Sequence, residues 1–294
     1  FYKRKKTERN RNKNDIFNST PPIFDYVPSL SDPRETSYLC FILFQFFDLT
    51  KNDELVQVLL KKRRVTVFVP SNEAFSRARP FAPEDEERLA SYHIVSMVVT
   101  RDLFPDTVYA VSQENPPLYF NVKERTGSGE KEYFVNNAKL LEDRDYTVDD
   151  GKQKLYIIDE VLEPYRSTEN LPPDAWELLN NPSLYNIREE LSAMASRVVK
   201  GEEVDTFTKV GNHTYFIPIG EENGPTGSRF RGVDRDVIKA HVISQYVLFT
   251  RTAGNEGYIS NNPRVDIKFV NQSNSFDTQT SMYSSGDHVL SHIL

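Results

Sequence analysis

The chain has 294 residues, 38% hydrophobic and 12% aromatic, which is enough apolar side chain for packed cores and excludes a disordered chain. Its net charge of −7 is uneven: residues 1–14 hold seven Lys/Arg against one Glu, and the remainder holds 29 Lys/Arg against 42 Asp/Glu. So acidic a body argues against nucleic acid as a main partner, because phosphate binding needs a basic face.

Residues 1–36 are basic and then polar, and are expected to form a disordered terminal segment. Tyr38 to Phe47, YLCFILFQFF, is the one dense apolar run. As a helix it spans about 15 Å, half of a ~30 Å hydrocarbon core. It is therefore expected to be a buried helix opening the first domain, with a displaced signal segment as the alternative. It contains Cys40, the only cysteine, so no disulfide within the chain and no thiolate zinc site can be assembled. Lack of disulfides favours a reducing compartment, whereas the N-x-S/T triplets at Asn18, Asn212 and Asn271 favour a secreted one.

Val65 to Val69 is β-branched and aromatic, and predicts a buried strand stopping at Pro70. Ser71 is placed to cap the helix that follows, with Glu73 in its first turn and Ala74 and Phe75 turned inwards. A second helix is expected in Pro83 to His93, acidic at its start. LYFNV (118–122) and EYFVNN (132–137) alternate as strands, and Lys154 to Leu162, KLYIIDEVL, reads as a fully buried strand closing the domain. Glu163 to Ala175 is polar with three prolines and serves as a linker; Pro172 and Pro173 suit the helix start at DAWELL.

The corner at 65–75 is repeated. Thr66, Phe68, Pro70 and Glu73 lie 148 residues before Thr214, Phe216, Pro218 and Glu221, and His93 lies 148 before His241. One offset across separated segments, far longer than a solenoid period, predicts two tandem homologous domains. They are expected at 37–165 and 175–294, joined by 166–174. In the second copy strands are expected at Tyr215 to Ile219 and in VDIKFV (265–270), and a helix in VDRDVIKAH. No counterpart of the closing strand is found there, so the second domain is expected to be incomplete, with an open sheet edge. Helices with largely non-βαβ strands give the α+β class.

The ordered set TVFVPSNEAF, YHIV and LYIIDEVLEP resembles the fasciclin-like domain, from about residue 49 to the end, with a degenerate second copy in which GEENG replaces SNEAF. The resemblance implies two domains, each a β-sheet wedge packed with several helices. It also implies extracellular, glycosylated adhesion modules on cell surfaces, neuronal ones included, or in secreted matrix. Membrane attachment would use a lipid anchor not present in this chain. Partners would be another copy of the protein or an integrin-type receptor, with a matrix or glycan ligand as the alternative, and no cofactor. It further implies a hydrogen-bonded core pair, Asn72 with His93; Gly220 replaces Asn72 in the second copy, so His241 needs another partner.

Tyr92-His93 matches an adhesion motif of the family, although the apolar surroundings favour core packing. Asp145 matches part of a second such motif, but Tyr146 replaces its isoleucine and a solvated acidic loop is the alternative. Asn212, in a Gly-Asn turn before a strand, is the best placed glycosylation candidate, ahead of Asn271 and Asn18. His288 and His292 share a face if helical, but two ligands without a carboxylate assign no metal. No nucleophile, zinc-protease or phosphate-loop motif is present, so no catalytic residue is assigned.

Overall fold

A computed structural model describes residues 45–290, with its longer breaks at 109–115, 166–172, 186–190, 221–229 and 284–288. Residues 1–36 and most of the apolar run at 38–47 lie outside the described residues; its last part is helical at 45–50, with Phe46 buried.

Strand β1 (Val65–Pro70) is buried at every position. It pairs antiparallel with β2 (Ile94–Val95) on one edge and parallel with β7 (Gln153–Ile158) on the other. A strand paired on both edges and covered on both faces reads as an unbroken apolar run. The side chains alternate all the same. Val65, Val67, Val69, Leu155 and Ile157 face a core built with Phe46 and helix α1 (Glu54–Leu60). Phe68, Tyr156 and Ile158 face a second core with Phe104, Leu118 and Phe120. The sheet has seven strands in the order β2-β1-β7-β6-β5-β4-β3, completed by β3 (Thr107–Val108), β4 (Leu118–Glu124), β5 (Lys131–Val135) and β6 (Ala138–Val148).

Pro70 ends β1, where its missing N–H is harmless; the Ser71 amide takes up the bonding instead, donating to Ile158 O at 3.0 Å. Ser71 Oγ accepts from Ala74 N at 3.2 Å and starts helix α2 (Asn72–Arg77). Ala74 is 2% exposed and Phe75 packs on the first core. The abrupt corner is therefore structural. Helix α3 (Glu86–Tyr92) delivers the chain to β2. The closing strand stops at Ile158, short of the expected Leu162, because Asp159 turns away and its carboxylate accepts from Lys139 N at 2.7 Å.

After the linker, α4 (Ala175–Asn180) is capped by Asp174, which accepts from Glu177 N at 2.8 Å. Helices α5 (Ser192–Lys200), α6 (Val204–Phe207) and α7 (Arg235–Ala240) follow. Strand β8 (His213–Tyr215) pairs antiparallel with β9 (Val242–Ser244). Its register, Thr214 opposite Ile243 and Tyr215 opposite Val242, repeats Thr66 opposite Val95 and Val67 opposite Ile94 at the same offset. The strand expected over Tyr215 to Ile219 ends instead at Tyr215. β1 is held to its proline by β7, and among the described residues no strand occupies that edge of β8. A separate sheet holds β10 (Tyr258–Ile259), β11 (Asp266–Asn274), β12 (Asp277–Tyr283) and β13 (Val289–Leu290). His288 and His292 lie outside the described residues, and β13 stands between them where the sequence predicts helix.

The buried clusters separate by chain position. Two draw on residues 46–162 and two on 175–269, and none of them mixes the two stretches. No helix among the described residues is long and apolar enough to cross a membrane.

Candidate functional site

His93 ends α3 and is wholly buried, with the Phe46 ring edge-on at 5.5 Å. Nδ1 faces Leu89 O at 2.8 Å, and Nε2 faces the Leu162 amide at 3.0 Å. A carbonyl needs a donor and an amide needs an acceptor, so the ring is neutral with its proton on Nδ1. Burial, opposed in part by the bond to Leu89, pushes its pKa down to about 4. The expected Asn72–His93 bond is not formed. Both ring nitrogens are taken by backbone groups, and Asn72 Oδ1 accepts from Gln45 N at 3.3 Å.

Tyr92 is also at 0% exposure. Its hydroxyl accepts from Asn136 Nδ2 at 3.2 Å and lies 3.5 Å from Pro117 O; burial raises its pKa well above the usual tyrosine value. Both rings of the Tyr92-His93 pair are turned into the core, where neither is exposed. Asp145 lies on β6 opposite Tyr156 rather than on a loop, and its side chain is outside the described residues.

The second copy repeats part of this geometry. His241 Nδ1 faces Val237 O at 2.8 Å, which supplies the partner the sequence leaves unnamed. Phe68 N donates to His93 O and Phe216 N to His241 O, both at 2.9 Å. Thr66 Oγ1 donates to Met97 O and accepts from Val99 N, both at 2.8 Å. Thr214 Oγ1 does the same with Tyr246 O at 2.9 Å and Leu248 N at 3.0 Å. The sequence pairs Thr66 with Thr214 but assigns them no role; each staples its strand to the segment running out of the adjoining one.

Asn212 is exposed in the turn before β8, and its Oδ1 accepts from Tyr119 OH at 3.3 Å. Asn271 lies on β11 with its side chain outside the described residues, as does all of Asn18. Among the described residues no three His, Cys, Asp or Glu side chains cluster as metal ligands.

A family model described as Fasciclin domain matches residues 43–164. Residues 43–164 form a fasciclin domain. The fasciclin domain thus takes in the first two cores, from Phe46 to Leu162. The chain is 32% identical to Fasciclin-1 of Schistocerca americana over 215 residues, covering 71% of this chain and 31% of that protein. It is 32% identical to Fasciclin-1 of Drosophila melanogaster over 238 residues, covering 78% and 34%. It therefore spans about a third of the length of these relatives. A solved FAS1 domain pair from the insect cell adhesion molecule Fasciclin I aligns with 83% of this chain and 88% of its own, at TM-score 0.35 and 15% identity.

Proposed function

We propose that this chain is a cell-adhesion module of the cell surface or extracellular matrix, non-catalytic, with a second fasciclin-type domain over residues 175–294. The fasciclin domain at 43–164, together with similarity to Fasciclin-1 running well beyond it, carries the reading. Burial of Tyr92 and His93 moves binding away from that motif to exposed faces, with another copy of the chain as the partner. Exposed apolar side chains such as Val210, Tyr246 and Ile259 supply contact area on the second half.

Beads coated with the chain should aggregate with one another, and surface substitutions should abolish this without changing the unfolding midpoint. Beads that ignore each other yet capture an integrin or a glycan array member would replace the homophilic reading with a heterophilic one. Beads that do neither sink the adhesive assignment. In the same reading Asn212 carries an N-linked glycan, since it is exposed and its Oδ1, not its amide nitrogen, takes the bond from Tyr119 OH.

A further inference from the structure

The strongest set of bonds between the two halves converges on one residue. Arg251 lies in the second half, between β9 and β10, and its amide, its carbonyl and both Nη groups reach into the first. Its amide donates to Asn137 Oδ1 at 3.1 Å, and its carbonyl accepts from Lys123 Nζ at 3.0 Å. Its guanidinium forks onto Asp159, Nη1 to Oδ1 at 2.9 Å and Nη2 to Oδ2 at 2.8 Å. Nη1 also donates to Glu160 Oε1 at 3.1 Å and Asn137 O at 3.2 Å, and the group lies 5.3 Å from the centre of the Phe134 ring. A planar fork matched to a carboxylate and lying against a ring is the geometry arginine forms and lysine does not.

The acceptor groups are also held by contacts within the first half. Asp159 Oδ1 is held by Lys139 N and its carbonyl by Arg77 Nη2 at 2.8 Å. Asn137 Nδ2 donates to both oxygens of Glu160, at 3.2 and 3.0 Å. These groups sit at the β5–β6 turn and the end of β7, so they are anchored to the central sheet of the fasciclin domain. The Arg251 and Asp159 side chains are only 33% and 19% exposed, so an unpartnered carboxylate there would be partly desolvated. Around this centre the contacts are weaker: Thr250 Oγ1 to Asn137 Oδ1 at 3.3 Å, Tyr119 OH to Asn212, and the Tyr119 and Phe249 rings at 5.8 Å.

We infer that Arg251 is a latch that makes the two halves one cooperative unit and holds their exposed faces in a fixed relation. Among the described residues no buried cluster crosses from one half to the other. Coupling therefore depends on this polar contact, and its loss lets each half keep its own core while the pair comes apart.

The test is urea unfolding of the full chain with one probe in each half. Trp176, the only tryptophan, reports the second half by fluorescence, and hydrogen exchange of residues 153–158 reports the first. In the unmodified protein the two midpoints should coincide. In Arg251→Ala they should separate by about 1 M urea, with the radius of gyration from X-ray scattering rising while both probes still report folded halves in buffer. Arg251→Lys should fall between the two. Coincident midpoints in Arg251→Ala, or divergent ones in the unmodified chain, overturn the latch. Should Arg251→Ala fail to fold, Asp159→Asn/Glu160→Gln in the full chain decides by the same readings, separation supporting the latch and coincidence overturning it.

Discussion

His93 and His241 stand 148 residues apart and hold the same bond, each Nδ1 at 2.8 Å from the carbonyl four residues earlier, Leu89 and Val237. They differ on the far side of the ring. His93 Nε2 is met by the Leu162 amide, whereas among the described residues no amide meets His241 Nε2. His93 is also fully buried, against 6% exposure for His241.

His93→Ala should therefore cost roughly 3 kcal/mol, combining a cavity with an orphaned amide and carbonyl. His241→Ala should cost about half as much, since one backbone partner is lost and the site is closer to solvent. Chemical denaturation of the two variants checks the order. Equal losses would show that the Leu162 bond adds nothing.

Stability should fall as the solution is acidified. Burial holds His93 neutral, its pKa pushed down to about 4 from an ordinary 6.5. Between those values the unfolded chain binds the extra proton and the folded chain does not, so the unfolded state gains. The His93 contribution is present in full above 6.5 and is lost as pH drops towards 4, roughly 3 kcal/mol in total. His241 is shifted in the same direction by burial and adds to the slope. Urea midpoints measured from pH 7.5 to 4.5 should decline, and His93→Gln should remove the larger part of that decline. An unchanged slope in that variant would falsify this assignment of the proton.

Thr66→Val keeps the shape of the side chain and removes two bonds, leaving Val99 N unpaired in a buried site and Met97 O unpaired in a partly buried one. The expected loss is about 2 kcal/mol. Thr214→Val removes the corresponding pair at a half-buried position, where water replaces part of what is lost, and should cost less. Thermal unfolding of the two variants gives the comparison; a larger loss at Thr214 would refute the role of burial.

Secreted from an insect or mammalian cell line, the chain should carry a glycan that peptide N-glycosidase removes from Asn212. Asn212→Gln should abolish that mass increment. Because Tyr119 OH donates to Asn212 Oδ1 and leaves the amide nitrogen for the sugar, the variant should keep the unfolding midpoint within about 0.5 kcal/mol. A tryptic peptide spanning Asn212 without any glycan would end the proposal.

Much of the architecture is legible in local chemistry. The proline stop, the Ser71 and Asp174 caps and the alternation along β4 and β5 depend on neighbours within a few residues. The constant displacement between Thr66 and Thr214 predicts the shared strand register, because equal spacing with equal patterning leaves one way to pair. What sequence reasoning misplaces is the choice of partner. The family resemblance implies Asn72 as the partner of His93, yet the Asn72 oxygen accepts from Gln45 N, and the backbone at Leu89 and Leu162 takes the ring. Nothing local marks Arg251 as a partner of the first half; the acid pair Asp159-Glu160, directly after a buried strand, signals the need for a counter-charge without naming it.

Taken alone, the order of residues determined the α+β class, where β1 turns into helix α2, and which faces of the strands are apolar. Those features arise from propensity and periodicity, which act over a few residues at a time. The tertiary structure decided that the Tyr92 and His93 rings point inwards, that β8 stops at Tyr215, and that Arg251 reaches from one half onto Asp159 and Glu160 of the other. Each of these depends on groups far apart in the chain, 69 residues for His93 and Leu162 and 92 for Arg251 and Asp159. A hydrogen bond is short and directional, so only folding reveals which of many eligible donors and acceptors come within its reach.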